Sequence, residues 1–267
     1  MLITDIEFEE NYKNEYEKLL NEITFYLDNE SLFRKKYQNT KQRYINTLPV
    51  PSANEYEYKS TLYKGLKLDV KRLKNYVIAL NHEQSRIVKH LPIILDIEPI
   101  SRCNFSCIMC QVKDWENGKR ADDMTFNDFK DLIDGQYGLT EVKLQGIGEP
   151  LMHRDFFKML QYLTDKHIWV RTTVNGSLLH KNDNYKKLVD SKIGEVQISF
   201  DGATKDVFEK IRVNSNFEKV VSNVTLFNEY SNKNGRLISR MWVLVQNYNA
   251  HQISEFVKIA KKMKFKR

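Results

Sequence analysis

The 267-residue sequence lacks long apolar runs, and it contains few cysteines, prolines and glycines. No stretch approaches 18 consecutive apolar residues, which excludes a membrane-spanning helix. The N-terminus, MLITDIEFEENYK, has an acidic flank and no apolar core, so it is not a secretory signal peptide. With three cysteines, the chain has no framework of paired disulfides, and we expect it to reside in a reducing cytoplasm.

Composition and length indicate a folded globular protein of one or two domains, with 41% hydrophobic and 12% aromatic residues. The net charge of +7 is unevenly distributed. Residues 1–30 hold 2 Lys/Arg and 9 Asp/Glu, residues 31–90 hold 13 and 4, and residues 91–267 hold 27 and 22. A basic block can attract an anionic partner such as nucleic acid. In a chain rich in lysine and asparagine, we favour a solvated lysine face instead.

All three cysteines lie in one short stretch, Glu98-Pro-Ile-Ser-Arg-Cys-Asn-Phe-Ser-Cys-Ile-Met-Cys110. Their spacing is C-x3-C-x2-C, directly after the apolar run 91–97, which we predict to be a strand. An iron–sulfur cube normally takes four thiolates, so three leave one iron open for a small molecule. The alternative is a Cys3His zinc site, completed by one of six histidines. None has zinc-finger spacing to the loop, and the closest, His90, precedes the strand.

Residues 1–90 have the periodicity of helices and show no catalytic constellation. Apolar residues recur at steps of three and four over 7–28 and over 61–88, and a further helix is expected over 31–46. Two prolines within 48–54 interrupt the pattern. We therefore predict an N-terminal helical region of unknown role, with its tyrosines in the core and at the rim.

From residue 91 onward, predicted strands and helices alternate. The strands are expected at 92–98, 141–146, 168–174, 195–200 and 238–245, and the helices near 126–134, 155–166, 183–191, 217–231 and 250–263. Asp155 and Asn249 occupy expected helix N-cap positions. Such alternation predicts a parallel α/β sheet over 91–267, wound by right-handed crossovers into an open barrel. The site of such a fold forms at the C-terminal ends of the strands.

Polar motifs follow three of the predicted strands. Gln145-Gly-Ile-Gly-Glu-Pro150 has glycines that allow close approach of a ligand or a positive φ, and a carboxylate that can pair with an ammonium group. Thr172-Thr-Val-Asn-Gly-Ser177 contains Asn-Gly, which is also a common turn dipeptide. Ile198-Ser-Phe-Asp-Gly202 is followed by Arg212, whose guanidinium either pairs with a ligand carboxylate or braces the loop.

These motifs resemble those of the radical S-adenosylmethionine (radical SAM) family. The cysteine stretch resembles the family's cluster loop, with Met109 where the family usually has an aromatic residue. The three later motifs resemble its GGEP, TNG and SxDG segments. The resemblance covers 92–263 and does not cover the N-terminal helical region. It implies a partial (β/α) parallel barrel behind that region.

The resemblance also implies the ligand set. Cys103, Cys107 and Cys110 would hold three irons of a 4Fe-4S cluster, and S-adenosylmethionine would chelate the fourth. In the family, the backbone of the GGEP segment binds the amine of the cofactor, and the residue at Ser199 is placed for its ribose or carboxylate. The residues implied to bind the cofactor are Gly146, Gly148, Glu149, Pro150, Asn175, Ser199, Asp201 and Arg212.

The activity implied is reductive cleavage of S-adenosylmethionine to a 5′-deoxyadenosyl radical that takes a hydrogen atom from substrate. The electron donor would be a protein such as flavodoxin or ferredoxin. The pattern looks most like members that modify peptides, sugars or other small metabolites. The basic block at 31–90 leaves an RNA-modifying member as an alternative, although nucleic acid and membrane are not expected partners. A regulatory protein holding a cluster or zinc without turnover is the alternative from another class.

The family's barrel core usually has six strands, and five are predicted here. The stretch Met263-Lys-Phe-Lys-Arg267 lies where a sixth strand would begin. An uncovered parallel edge presents unpaired N–H and C=O groups, which proteins usually cover. We therefore expect either that the chain is the N-terminal portion of a longer protein or that another chain covers this edge.

Overall fold

The computed structural model describes residues 5–36, 55–82, 87–116 and 119–266, and it contains a five-stranded parallel sheet in the order β1-β2-β3-β4-β5. The strands are β1 Ile94–Ile97, β2 Glu141–Leu144, β3 Trp169–Val174, β4 Glu195–Ser199 and β5 Ser239–Trp242. The α-helices are α1 Asp5–Asp28, α2 Glu55–Leu68, α3 Val70–Leu80, α4 Phe126–Gly135, α5 Phe156–Asp165, α6 Asn184–Asp190, α7 Lys205–Ile211, α8 Phe217–Lys233 and α9 Ile253–Lys262. The predicted α/β fold with an N-terminal helical region is confirmed.

The two faces of the sheet differ because side chains alternate in direction along a strand. One face is apolar and packs against the helices, with Val142, Val170 and Ile198 almost fully buried in one continuous core. Burying one such side chain is worth about 1.5–3 kcal/mol, so this face fixes the strand register. Ion pairs join neighbouring strands on the other face, between Lys143 and Asp96 (3.2 Å), Arg240 and Glu195 (3.1 Å), and Arg171 and Glu141.

The helical region differs from the sequence prediction in its internal breaks. The single helix expected over 61–88 is wrong: α2 ends at Leu68, and Asp69 begins α3 by accepting hydrogen bonds from two backbone N–H groups of its first turn. An aspartate at this position favours a new N-terminus over continuation. Residues 30–36 are helical, and the rest of the helix expected over 31–46 lies outside the described residues.

The α/β part contains one helix that was not predicted, the short helix α7, which places Arg212 directly after its last residue. Asp155 and Asn249 do occupy N-cap positions, of α5 and of the short helical turn at 250–252, but neither side chain makes a capping hydrogen bond. The Asn249 amide instead accepts from the N–H of Gln246 (2.8 Å) and donates to the carbonyl oxygen of Asp201 (2.9 Å). It therefore joins the loops after β4 and β5.

The helical region docks at the N-terminal ends of the strands. Buried Arg72 donates to the carbonyl oxygens of Tyr137 (3.2 Å) and Lys166 (2.7 Å), which precede β2 and β3. Asn75 exchanges two hydrogen bonds with the backbone of Leu91, which precedes β1. The described part of this region thus lies at the opposite end of the sheet from the C-terminal strand ends.

The opposite charges of the first two segments pair with each other. Acidic residues of α1 and of the helical segment 30–36 bind lysines of the basic block, in the pairs Glu22–Lys59 (3.0 Å), Glu30–Lys64 (2.7 Å), Asp5–Lys74 (2.9 Å) and Glu7–Lys89 (3.2 Å). Four lysines of the basic block are therefore paired with acidic side chains of the same chain. Among the described residues, no helix is long and apolar enough to cross a bilayer.

Candidate functional site

The cysteine loop follows β1 and is held by the segment after α7. The N–H of Ser106 donates to the carbonyl oxygen of Val213 (3.0 Å), and that of Ile108 donates to Ile211 (2.9 Å). The N–H of Cys110 donates to the carbonyl oxygen of Cys107 (2.9 Å), which turns the loop back on itself. All three cysteines are free thiols, with Cys107 buried and the other two partly exposed. The segment at the end of α7 and the loop's own backbone therefore fix the loop.

The loop borders a cavity of about 160 Å³ at the C-terminal ends of the strands. This is where the parallel sheet was expected to place its site. The lining residues include most of those that the sequence motifs single out, namely Cys103, Cys107, Cys110, Gly146, Gly148, Glu149, Asn175, Ser199 and Arg212. Pro150 and Asp201 are buried but do not line the cavity.

The two glycines after β2 leave room for residues that lie between β1 and the cysteines. A Cβ at Gly146 would lie 2.1 Å from Cγ of Glu98, and a Cβ at Gly148 would lie 2.2 Å from the carbonyl oxygen of Ile100. Neither glycine has a positive φ. The close contacts at these glycines are therefore made with Glu98 and Ile100 of the same chain. A larger residue at either glycine would push these neighbours away.

Glu149 connects the loops after β2 and β3. One carboxylate oxygen accepts from the N–H of Asn175 (2.8 Å), and the other accepts from the N–H of Leu151 (3.3 Å). The side chain is only 2% exposed. Burial raises the pKa of Glu149 to about 7, although both N–H groups and Arg212 oppose this rise. A cationic ligand in the cavity would favour the ionised form.

The side chain of Asn175 braces the cysteine loop. Its Nδ2 donates to Oδ1 of Asn104 (3.0 Å) and lies 3.8 Å from Sγ of Cys103. Its Oδ1 accepts from both the N–H and the hydroxyl of Ser177 (2.9 and 2.7 Å). Asn104 in turn donates to the Ser177 hydroxyl (2.9 Å). This network connects the loop after β3 to the first cysteine.

Arg212 is buried between an acid and a cysteine. Its Nη2 donates to Oδ2 of Asp201 (2.6 Å), and its Nη1 lies 3.9 Å from Sγ of Cys107. Its Nε is buried without a hydrogen-bond partner. A ligand oxygen in the cavity would satisfy that donor, since unpaired buried donors are costly. Asp201 reaches the site through this ion pair.

The donor set fits an iron–sulfur cluster. Burial raises the pKa of Cys103 to about 11 and also raises the pKa of Cys107. In the metal-free protein, Cys103 and Cys107 are therefore protonated at neutral pH, and metal binding must displace their protons. In the described part of the chain, no three Cys, His, Asp or Glu side chains are arranged around a single metal ion. A cluster does not require that arrangement, because each cysteine binds a different iron.

Several cavity residues were not anticipated from the sequence. Thr173 and Val174 line the cavity beside Asn175, and both belong to the stretch Thr172–Ser177 that contains the Asn-Gly motif. Phe105 and Ile147 line it as well. Glu98 lies behind the glycine loop, and no sequence signal connects it to Gly146, which is distant along the chain.

Comparison with known proteins agrees with a parallel α/β fold bearing a cysteine-lined site. Residues 97–260 match the sequence model of the Radical SAM superfamily, and the chain therefore belongs to the radical SAM superfamily. The family's cofactors are a 4Fe-4S cluster and S-adenosylmethionine.

Individual relatives match part of their length. Mycofactocin maturase MftC of Mycolicibacterium smegmatis is 28% identical over 170 residues, covering 63% of this chain and 42% of the relative. GTP 3′,8-cyclase of Aliarcobacter butzleri is 31% identical over 179 residues, covering 64% and 52%. The crystal structure of Streptococcus suis SuiB bound to precursor peptide SuiA shares the fold, with a TM-score of 0.56, 19% identity and coverage of 88% and 50%. The chain thus spans about half the length of these proteins.

Proposed function

We propose that this chain holds a 4Fe-4S cluster through Cys103, Cys107 and Cys110 and binds S-adenosylmethionine in the adjoining cavity. The proposal rests on the position of side chains from separate elements around one cavity. Three thiols from one loop meet polar groups from the ends of β2, β3 and β4 and from the end of α7 around one cavity. Residues so far apart in sequence share a cavity because parallel strands end at one edge of the sheet.

Each polar group has a role that follows from its position. The backbone from Gly146 to Pro150 would receive the methionine amine, and buried Glu149 would supply the opposing negative charge. Arg212 would pair with the methionine carboxylate through its free Nε, held in place by Asp201. Ser199 and Asn175 would contact the remainder of the cofactor.

Once bound, the cluster and S-adenosylmethionine would supply one-electron chemistry that removes a hydrogen atom from the substrate. The chain's contribution is to position the cofactor and to exclude water. The electron would come from a partner protein such as flavodoxin or ferredoxin. Cysteines must stay reduced to bind iron, and the cytoplasm keeps thiols reduced. We therefore propose a cytoplasmic location.

A peptide is the substrate that we favour within the wider class of peptides, sugars and small metabolites. The structural neighbour SuiB is bound to a precursor peptide. On the polar face of the sheet next to the cavity, the Thr173 hydroxyl lies 2.5 Å from Oε1 of Gln145 and 3.2 Å from Oε1 of Gln197. Amide and hydroxyl groups of this kind complement the peptide backbone.

The test is turnover by anaerobically reconstituted, reduced protein. We expect methionine and 5′-deoxyadenosine to form slowly without substrate and faster with a peptide substrate than with GTP, which the name of the cyclase relative suggests as the competing class. Candidate peptides would be taken from short reading frames beside the gene. A protein that holds a cluster without cleaving the cofactor would support the regulatory alternative instead. Acceleration by GTP or RNA would contradict the peptide assignment.

A further inference from the structure

The loop after β2 is held from behind by a residue outside the cavity. Oε1 of Glu98 accepts the backbone N–H of Ile147 at 2.6 Å. The same side chain fills the space where a Cβ at Gly146 would project, with Cγ at 2.1 Å and Oε1 at 2.4 Å from that point. The glycine and the glutamate therefore fit each other, although they come from different strand ends.

A second contact holds the glutamate. Its other oxygen, Oε2, pairs with Nη2 of Arg120. Arg120 belongs to the strap, which we define as residues 119–124. The Ser101 hydroxyl accepts from the N–H groups of Arg120 and Ala121 (both 3.0 Å) and donates to the carbonyl oxygen of Ala121 (2.9 Å). The guanidinium of Arg120 also lies 5.5 Å from the ring centre of Trp115. The strap is thus fastened to the loop that follows β1.

We propose that Glu98 is a positioning residue for the cofactor-binding loop, and that Arg120 of the strap supports it. The carboxylate fixes the Ile147 peptide, so that Gly148 and Glu149 face the cavity before any ligand arrives. A preorganised loop binds its ligand more tightly because less ordering is left to do on binding. This inference rests on the proposed function, since the ligand meant is S-adenosylmethionine.

The two contacts of Glu98 should contribute differently to the affinity for the cofactor. The hydrogen bond to Ile147 joins a charged acceptor to a partly buried N–H, and losing it should weaken cofactor binding about 10-fold or more. The ion pair involves side chains that are 55% exposed for Arg120 and 19% exposed for Glu98, so its loss should cost less than about 5-fold. Glu98→Gln retains an acceptor oxygen and Glu98→Ala does not.

The experiment combines two measurements. Hydrogen exchange of the Ile147 amide is measured in metal-free protein, and S-adenosylmethionine affinity is measured by equilibrium binding to anaerobically reconstituted protein. For Glu98→Ala we expect the exchange rate of the Ile147 amide and the Kd for S-adenosylmethionine each to rise about 10-fold or more above the parent values. For Glu98→Gln and Arg120→Ala, both quantities should stay within about 5-fold of the parent. The matched control is Asp122→Ala, which removes an exposed strap ion pair with Lys119 and should change neither quantity.

A double-mutant cycle of Glu98 and Gly146 distinguishes a positioning role of Glu98 from nonspecific destabilisation of the fold. Gly146→Ala alone should disrupt the loop because its Cβ collides with Glu98. In Glu98→Ala/Gly146→Ala that collision is absent, so the double variant should bind no worse than Glu98→Ala. Should Glu98→Ala fail to fold, Glu98→Met keeps the volume, removes the acceptor and carries the same expectation.

Two outcomes would overturn the inference: unchanged exchange and affinity in Glu98→Ala or Glu98→Met, or strictly additive losses in the cycle. If the parent protein itself does not bind S-adenosylmethionine, the proposed function fails. The exchange of Ile147 in metal-free protein still reports on Glu98 in that case, so the two failures are distinguishable.

Discussion

Arg212 and Asp201 form a buried ion pair with 2.6 Å between Nη2 and Oδ2, and the same guanidinium lies 3.9 Å from Sγ of Cys107. The two side chains are 10% and 1% exposed. Oδ1 of Asp201 also accepts the N–H of Leu244 (2.8 Å). The pair therefore links the loop after β5 to the cysteine loop, and Arg212 is the member that faces the cavity.

Removing either partner should have different consequences. Arg212→Ala should weaken S-adenosylmethionine binding at least 10-fold while iron content stays near that of the parent, because Arg212 does not itself hold iron. Asp201→Ala leaves the guanidinium buried and unpaired, which should lower the free energy of unfolding by about 3–5 kcal/mol. Equilibrium binding and denaturant unfolding measure these effects. Unchanged cofactor affinity in Arg212→Ala would show that the arginine only braces the loop.

Glu149 should make the metal-free protein less stable as pH rises. Burial raises its pKa from 4.5 to about 7, so the folded state holds a proton that the unfolded state releases between these values. The stability contributed by the protonated form is therefore present below pH 4.5 and is lost as pH rises to about 7. The loss is roughly 3 kcal/mol at most, at ~1.4 kcal/mol per pH unit.

The check is denaturant unfolding of the metal-free protein over this pH window. Glu149→Gln should remove the part of the pH dependence that Glu149 contributes. Asp128→Asn changes an exposed carboxylate and serves as the matched control. Identical pH profiles for the parent and Glu149→Gln would contradict the assignment.

Arg72 should be a main attachment of the helical region to the sheet. Its guanidinium donates to the carbonyl oxygens of Tyr137 and Lys166, and Arg72→Ala leaves these contacts unmade. We expect a loss of about 2–4 kcal/mol in the free energy of unfolding. Lys71→Ala, a neighbouring exposed position, should cost less than ~0.5 kcal/mol. Equal losses in the two variants would show that Arg72 does not anchor the region.

The end of α9 resembles the end of α5. At α5, His167 has a positive φ, the N–H of Ile168 bonds to the carbonyl oxygen of Leu163 (3.1 Å), and β3 begins at the next residue. At α9, Lys264 has a positive φ and the N–H of Phe265 bonds to Ala260 (3.0 Å). This Schellman-type ending directs the chain back toward the sheet.

The edge of β5 should therefore accept a further parallel strand. Trp242, the last residue of β5, is 50% exposed. The test compares the 267-residue chain with one extended by the downstream reading frame, using the emission of Trp242 with Trp242→Phe as the blank. Burial of Trp242 in the extended protein is expected. Unchanged emission of Trp242 in the extended protein would contradict this prediction.

The sequence predicted the strands and most helices because each buries one periodic face against a common core. It did not predict α7, which spans seven residues. It also could not show that Gly146 makes room for Glu98, because that fit depends on the pairing of β1 with β2. The cysteines were identified by spacing alone. The roles of Asp201 and Arg212 relative to each other required the fold.

The metal content of protein reconstituted without oxygen tests whether Cys103, Cys107 and Cys110 hold an iron–sulfur cluster. We expect a brown protein with roughly four irons per chain. Each of Cys103→Ala, Cys107→Ala and Cys110→Ala should lose most of that iron, while Ser106→Ala in the same loop should retain it. One equivalent of zinc without iron-dependent absorbance would show that the three cysteines form a zinc site and not an iron–sulfur cluster.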